Sequence, residues 1–150
     1  MAERILVPLD GSKHSEAVLP WVRKFAAQAP VELVLVQVLQ PVVAYAVGTM
    51  GTEPPMMIDP QTERAQAQAY LNRIDGGKAT VVARLVRDGI PSDELLSVIA
   101  EQHVDLIAMS THGRTGLGHL LLGSVTEDVV RRAGIPVLVL RPLPPQNSHA

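Results

Sequence analysis

VDLIAMSTHGRTGLGHLLLGSVTEDVVRRAGIPVLVL, residues 104–140, contains the clearest indication of how this chain folds. Two short apolar runs rich in β-branched residues, 104–109 and 137–140, predict strands. The segment before the second run has acidic residues near its start, two arginines near its end and then Gly134 and Pro136, which predicts a helix. A strand, a helix and a second strand in succession are typical of a parallel βαβ unit.

The same alternation runs through the rest of the chain. Apolar runs at 5–9, 31–39 and 80–86 predict three further strands, and segments with helical spacing lie between them. Strands that are apolar on both faces and alternate with helices indicate a parallel sheet covered on both sides. A length of 150 residues with 47% apolar content fits one domain. We therefore predict an α/β fold, a single-domain open parallel five-stranded sheet with helices on both faces.

Apolar residues at helical spacing predict which face of each helix is buried. Pro20 interrupts the first helix, which either begins late, near Ser15, or kinks at the proline. The predicted inward face of this helix consists of Ala17, Val18, Trp21, Val22, Phe25, Ala26 and Ala29. The predicted inward face of the last helix consists of Val125, Val129, Val130 and Ala133.

The candidate ligand-binding residues follow the carboxyl ends of two predicted strands. The first strand runs into Pro8, Leu9 and Asp10, and the fourth runs into the glycine-rich loop 110–124. In open parallel sheets, ligands bind beyond the carboxyl ends of the strands, where the strand order reverses. Asp10 and the loop share a pocket only if strands one and four are neighbours. This favours the order 3-2-1-4-5 of Rossmann-like half-domains over the flavodoxin-like order.

The loop 110–124 is typical of a phosphate-binding segment that leads into a helix. Two known fingerprints are incomplete in it. Serine follows Gly123 directly, so the lysine of P-loop proteins is missing, and Leu121 stands at the last glycine of the pattern G-x-G-x-x-G. Phosphoryl transfer needs a positioned nucleophile or water, and only Asp10 and His112 are candidates for that role. We therefore expect tight binding with slow or absent turnover.

Composition and charge exclude several classes of function. The net charge is −2 and the 13 lysines and arginines form no run, which excludes the usual footprint of a nucleic-acid or anionic-membrane partner. The absence of cysteine excludes disulfides and thiolate catalysis and fits a reducing compartment. The histidines lack metal-ligand spacing. No stretch approaches the ~20 apolar residues of a membrane span, so we expect a cytoplasmic protein.

Two segments fall outside the regular alternation. Residues 39–58 form a connection much longer than the usual ~4–6 residues, and they include two glycines, three prolines and three methionines. We expect either a lid over the site or a disordered insertion. The proline-rich tail 142–150 is predicted to be loosely ordered.

Three motifs together resemble the universal stress protein family. They are VPLDGS at 7–12, GIP at 89–91, and the loop 110–124 with the Val-Thr pair that follows it. The resemblance covers nearly the whole chain. It implies a universal stress protein domain over residues 1–141, with a Rossmann-like fold of the adenine nucleotide alpha hydrolase-like type.

The ATP-binding members of that family carry a glycine, two residues, a glycine, nine residues, and then a glycine with Ser or Thr. Gly113, Gly123 and Ser124 match the later part of this pattern, and Ser110 stands where the first glycine belongs. Serine is small and can donate its own hydroxyl. The resemblance therefore implies that ATP is the ligand, with Mg²⁺ arriving through the phosphates.

The resemblance also implies roles for individual residues. Asp10 would hold the ribose or the adenine edge, Val38 would pack on the adenine, and the base pocket would be lined by Pro8, Leu9 and Met109. The phosphate side would consist of Ser110, Gly113, Gly123, Ser124 and Val125, with Thr126 close by. We add Arg114, whose guanidinium we expect to pair with the terminal phosphates. Without the resemblance, Asp10 is also explained by a turn or a helix cap, and Val38 and Met109 by the core.

The function that follows is an ATP-binding universal stress protein that uses nucleotide as a signal, with slow or no hydrolysis. The resemblance implies a homodimer through the edge strand Val137–Leu140, and an exposed apolar edge does invite pairing; the alternative is that the tail covers it. One alternative function is an interaction protein of the same family that binds no nucleotide. A second is a nucleotide hydrolase or nucleotidyl transferase that uses Asp10 and His112. Protein partners cannot be identified from sequence.

Overall fold

Strands and helices alternate along the residues that the computed structural model describes, 2–41, 58–111 and 123–142. Within these ranges the strands are β1 Glu3–Pro8, β2 Val31–Leu39, β3 Thr80–Asp88, β4 Leu106–Ser110 and β5 Val137–Leu140. The helices are α1 Lys13–Glu16, α2 Leu19–Ala26, α3 Pro60–Arg73, α4 Pro91–Glu101 and α5 Ser124–Arg132. Pro60 and Pro91 stand at helix starts, where a missing N–H costs no hydrogen bond.

The sheet has the order β3-β2-β1-β4-β5, and every neighbouring pair is parallel. This confirms the predicted α/β class and the predicted order 3-2-1-4-5. The chain moves outward from β1 to β3, then returns to the other side of β1 to form β4 and β5. The order therefore reverses between β1 and β4, which is where open α/β sheets bind ligands.

The sheet separates two apolar layers. Ile5 and Val7 of β1 point into one layer and Leu6 into the other, because successive residues of a strand face opposite sides. The first layer joins the sheet to α2 and α3 through residues that include Val22, Leu33, Leu35 and Leu71. The second layer joins the sheet to α4 and α5 through residues that include Val34, Leu95, Val98, Ile107 and Val129. Helices thus cover both faces, as predicted.

The predicted strand limits are correct for β2 and β5 and wrong for the other three. β1 begins earlier and ends at Pro8, and β4 runs from Leu106 to Ser110, although the N–H of Asp105 already bonds to the carbonyl of Arg4 on β1. β3 continues to Asp88, since it pairs with β2 as far as Leu39. β3 also corrects the expectation that each strand is apolar on both faces: as an edge strand it exposes Val82 and part of most other residues.

The first helical segment is broken rather than kinked. α1 ends at Glu16, α2 begins at Leu19, and Pro20 occupies the first turn of α2, where proline is tolerated. The buried residues of α2 are Leu19, Val22 and Ala26.

Four residues that were predicted to face inward do not. Ala29, which lies beyond the end of α2, is exposed. Trp21 and Phe25 on α2 and Val130 on α5 are each about half exposed. The helical period gives the direction of a face but not its width, and the sheet covers a narrower arc of both helices than the apolar residues occupy.

Two predicted segments lie mainly outside the described residues. Of the 39–58 connection, only its first three residues and Ile58 are described, and of the 142–150 tail only Pro142. The lid, the insertion and the loosely ordered tail therefore stay predictions. No helix in the described part of the chain is long and apolar enough to cross a membrane.

Candidate functional site

A cavity of about 280 Å³ opens at the carboxyl edge of the sheet, where β1 and β4 are neighbours. Its size is near the lower end of the ~300–1,000 Å³ typical of small-molecule sites. The described residues that line it are Pro8, Leu9, Asp10, Ser15, Val38, Gln40, Pro91, Leu95, Met109, Ser110, Gly123, Ser124, Val125 and Thr126. The cavity therefore occupies the position that the reversal of strand order predicts.

One wall of the cavity is apolar. Val38 near the end of β2, Met109 on β4 and Leu95 on α4 belong to the same apolar layer. Met109 and Leu95 are almost fully buried, so their side chains are held by the core and present a fixed surface. An apolar wall of this kind suits an aromatic ring.

The opposite wall is the N-terminus of α5. The N–H of Glu127 makes the first bond of the helix, 3.0 Å to the carbonyl of Gly123. The N–H groups of Ser124, Val125 and Thr126 precede that bond and have no acceptor within the helix. Gly123 has no side chain that could cap them. N–H groups without an acceptor among the described residues, together with the positive end of the helix dipole, make this wall suited to an anion.

Nothing among the described residues requires a glycine at position 123. Its φ is −57° and its ψ is 157°, which any residue adopts. A Cβ added to it would meet nothing within 4 Å among the described residues. A glycine in such a place is explained when another molecule must approach the backbone closely. The space next to Gly123 is part of the cavity.

The β1–α1 turn forms a third side. Oδ1 of Asp10 accepts a hydrogen bond from the N–H of Ser12, 2.8 Å, which closes an Asx turn. Oγ of Ser12 in turn accepts from the N–H of Ser15, 3.1 Å, and caps α1. Gly11 between them has φ +86°, a left-handed conformation that favours glycine. Asp10 thus makes the turn, while its exposed carboxylate borders the cavity.

Ser15 ties this turn to the neighbouring strand. It is buried, and its Oγ accepts from the N–H of Asp10, 3.2 Å, and donates to the carbonyl of Ser12, 2.9 Å. Oγ of Ser110, the last residue of β4, donates to the carbonyl of Ser15 at 3.5 Å. These contacts fix the distance between the β1 tip and the β4 tip.

The negative charge near this turn affects the pKa of Tyr70 on α3. Burial raises the pKa of Tyr70 to about 12, and the negative charges of Glu16 and Asp10 add to the effect. The Tyr70 hydroxyl therefore stays protonated at neutral pH.

Ten of the twelve residues nominated from sequence line the cavity, and the other two, Gly113 and Arg114, lie outside the described residues. Four lining residues were missed: Ser15, Gln40, Pro91 and Leu95. Pro91 belongs to the GIP motif, and that motif could have been used to predict its place in the cavity. The sequence pattern around Leu95 is typical of the buried face of an amphipathic helix. The packing of α4 on the sheet brings this residue to the cavity.

The described cavity lining can bind but offers little for catalysis. It contains one carboxylate, hydroxyls and backbone donors, and no histidine, lysine or arginine. Within the described ranges there is no group of three or more histidine, aspartate or glutamate side chains that could hold a metal ion. An apolar wall, a carboxylate and a helix N-terminus around one space match a ligand with a ring, hydroxyl groups and an anionic group.

Comparison with known sequences identifies relatives over most of the chain. The model of the universal stress protein family matches residues 1–141. A universal stress protein of Methanocaldococcus jannaschii is 28% identical over 155 residues, which cover 94% of this chain and 96% of the relative.

The solved structure of the same M. jannaschii protein superimposes with a TM-score of 0.72 over 97% of this chain and 99% of that one. A universal stress protein in complex with cAMP has a TM-score of 0.65 at 23% identity, covering 93% and 97%. A universal stress protein family protein of Arabidopsis thaliana with AMP bound has a TM-score of 0.61 at 13% identity, covering 97% of each chain. These last two likenesses establish the shared Rossmann-like fold.

Proposed function

Because the chain belongs to the universal stress protein family, we propose that the cavity at the β1–β4 junction binds an adenine nucleotide, and that this nucleotide is ATP. Two proteins of the same fold hold cAMP and AMP. Those molecules share an adenosine and a phosphate. The observation that carries the proposal is the pairing of an apolar wall with the free N-terminus of α5 across one cavity.

In the proposed complex, the adenine lies against Val38 and Met109, and Leu95 closes the apolar wall behind it.

 
Leu95 fills this position because it is held at 1% exposure between α4 and the sheet. The Asp10 carboxylate accepts from the ribose hydroxyls. The phosphates meet the N–H groups at the start of α5, and the small residue at Gly123 lets them approach the backbone.

The preference for ATP over AMP depends on the glycine-rich loop. Gly113 and Gly123 are separated by nine residues and Ser124 follows, as in the ATP-binding members that this sequence resembles. Arg114 adds a guanidinium for the terminal phosphates, and Mg²⁺ accompanies them. Three phosphates need more donors than one helix N-terminus supplies, and the loop is the segment that provides them.

We propose that the bound nucleotide acts as a signal and is hydrolysed slowly or not at all. Asp10 is the one carboxylate of the described cavity lining, and its Oδ1 already accepts from the N–H and the hydroxyl of Ser12 within the turn. The state of the nucleotide then alters the surface that a protein partner contacts. A hydrolase or nucleotidyl transferase would instead need Asp10 and His112 to act together, and sustained multiple turnover would favour that alternative.

We also propose that the protein is a homodimer through β5. The N–H of Ile107 bonds to the carbonyl of Pro136, and that of Thr111 to the carbonyl of Leu140, so the even-numbered residues of β5 face β4. By alternation, the N–H and C=O groups of Val137 and Val139 point away from the sheet. An antiparallel copy of β5 would satisfy them and remove the open edge.

Thermal unfolding with a panel of ATP, ADP, AMP, cAMP and GTP tests the nucleotide proposal. A ligand at 100 times its dissociation constant adds ~2.7 kcal/mol, which raises the melting temperature by roughly 5–10 °C in a domain of this size. ATP should give the largest shift and GTP none.

The matched variants are Gly123→Ala and Gly123→Val, which place one and three carbon atoms where the phosphates approach. We expect the ATP shift to shrink in the first and vanish in the second. No shift of the wild-type protein with any nucleotide would overturn the proposal and favour a family member that acts through its surface alone.

A further inference from the structure

Six large apolar side chains are exposed among the described residues, and two of them are adjacent. Trp21 and Phe25 lie one turn apart on α2, and each is 48% exposed. The ammonium of Lys24 lies 5.3 Å from the centre of the Trp21 ring. The other four, Ile58, Val82, Ile90 and Val130, belong to four different segments. We call Trp21 and Phe25 the aromatic pair.

The direction of the aromatic pair follows from its neighbour on the helix. Nε of Arg23 donates to the carbonyl of Asp75, 2.9 Å, in the segment that joins α3 to β3. That flank of α2 therefore faces α3, towards the β3 edge of the sheet. Residues two positions away on a helix are rotated by about 200°. Trp21 and Phe25 are each two positions from Arg23, so the aromatic pair points the opposite way, towards β4 and β5.

The same face of the sheet continues from α2 to an open edge. Leu138 and Leu140 of β5 lie on the face that α2 covers, and both are only partly buried. Among the described residues, β5 pairs with β4 alone. The aromatic pair and the two leucines therefore lie on the same side of the sheet, and the outward N–H and C=O groups of β5 lie at the edge beyond them.

We propose that the aromatic pair is the helical half of the homodimer interface, and that its occupant is the same surface of a second copy. The inference rests on the homodimer proposed above. Antiparallel pairing of two β5 strands places the two-fold axis perpendicular to the sheet, which keeps the same face of both subunits on the same side. The two α2 helices then face each other across the joined strands, and their aromatic side chains fill the groove between them.

The size of β5 supports this assignment. A strand of four residues is about 13 Å long. A stable interface buries roughly 800 Å² on each partner, far more than such a strand pairing supplies. Large aromatic side chains beside it add apolar area at low cost in side-chain entropy, and aromatic residues are enriched in interface centres. Neither surface is sufficient alone, and the two are adjacent.

The experiment uses the fact that Trp21 is the single tryptophan of the chain. Sedimentation velocity and tryptophan fluorescence are measured on the full-length protein over one concentration series. We expect emission to move to shorter wavelength and acrylamide quenching to fall as the dimer forms. Phe25→Glu should raise the dimer dissociation constant about a hundredfold, since the change occurs twice in a symmetric dimer.

Two further variants make the outcomes distinct. Val82→Glu adds the same charge at an exposed apolar residue on the opposite edge strand and should leave the dissociation constant unchanged. Val139→Pro removes an outward donor of β5 without touching its bonds to β4, and it should abolish the dimer. ATP binding, measured on the same samples, should persist in Phe25→Glu.

Three results would overturn the inference. A dimer that Val139→Pro disrupts but Phe25→Glu does not, with Trp21 still open to acrylamide, would leave strand pairing intact and exclude the aromatic pair. A wild-type monomer at every concentration with an accessible Trp21 would remove the homodimer as well. A monomer with a shielded Trp21 would show that a segment of the same chain covers the pair.

Discussion

Two glycines in the segments that form the site, Gly123 in the cavity lining and Gly11 in the turn beside it, are explained by different physical reasons. Gly11 in the β1–α1 turn has φ +86°, so the backbone of the turn itself excludes other residues. Gly123 at the start of α5 has φ −57°, which any residue adopts, and a Cβ there would meet no described atom within 4 Å. The turn is thus explained by local structure alone. No described residue explains the glycine at the helix start, and close approach of a bound molecule to its backbone would explain it.

Some residues of the site hold its shape, and others are left to contact a ligand. Asp10, Ser12 and Ser15 satisfy one another by hydrogen bonds, which keeps the β1 side rigid before any ligand arrives. The first N–H groups of α5 lack such partners within the helix. A preorganised frame on one side and free donors on the other is the arrangement that binds an anion at low reorganisation cost.

The largest effect that would test this contrast is on stability without nucleotide. Gly11→Val should lower the free energy of unfolding by about 2 kcal/mol, because a β-branched residue is strained in the left-handed region. Gly123→Val, the matched control, should change it by less than about 1 kcal/mol, the scale of a helix-cap effect. Urea unfolding of both variants measures the difference. Equal losses would mean that the fold needs both glycines and would remove the argument from Gly123.

Much of this site was open to prediction because its residues sit at strand tips. Apolar runs separated by helical segments fixed a parallel sheet, and the need to bring Asp10 beside the loop 110–124 selected the order 3-2-1-4-5. The resemblance to the family assigned Pro8 and Ser110 to the site, and both lie at the tips of adjacent parallel strands, whose carboxyl ends share one edge.

What escaped prediction depends on packing between distant segments. Leu95 has the sequence pattern of a core residue, and its place in the cavity depends on how α4 lies on the sheet. Trp21 and Phe25 have the spacing of a buried face, yet α2 turns that flank towards the sheet edge. A periodic pattern states which residues share a face, and tertiary contacts decide what covers it.

An intermediate effect is expected at Asp10, which both forms the turn and borders the cavity. Asp10→Asn keeps the Oδ1 acceptor for the N–H of Ser12 and removes the charge, so stability should change by less than about 0.5 kcal/mol. ATP affinity should fall about tenfold, since a charged acceptor to a ribose hydroxyl is stronger than a neutral one. Calorimetric titration measures the affinity, and Asp10→Ala, which loses turn and charge together, is the control. Unchanged affinity in Asp10→Asn would confine Asp10 to its turn.

The smallest effect concerns the ionisation of Tyr70, whose hydroxyl lies near the negative charges of Glu16 and Asp10. Burial, with help from Glu16 and Asp10, raises the pKa of Tyr70 from 10.0 to about 12. The unfolded chain therefore ionises this hydroxyl first, and its contribution to stability is complete below pH 10 and is lost as the pH rises towards 12.

Urea unfolding of the wild type and of Tyr70→Phe at about pH 8 and about pH 11 isolates that contribution, because all other titrating groups are common to both proteins. We expect the loss of stability between the two pH values to be smaller in Tyr70→Phe. Adding Asp10→Asn to the wild type should reduce the loss slightly, since it removes one of the two charges that oppose ionisation. An equal loss in the wild type and in Tyr70→Phe would mean that the turn does not hold Tyr70 in its protonated form, and the turn would then be rigid through hydrogen bonds alone.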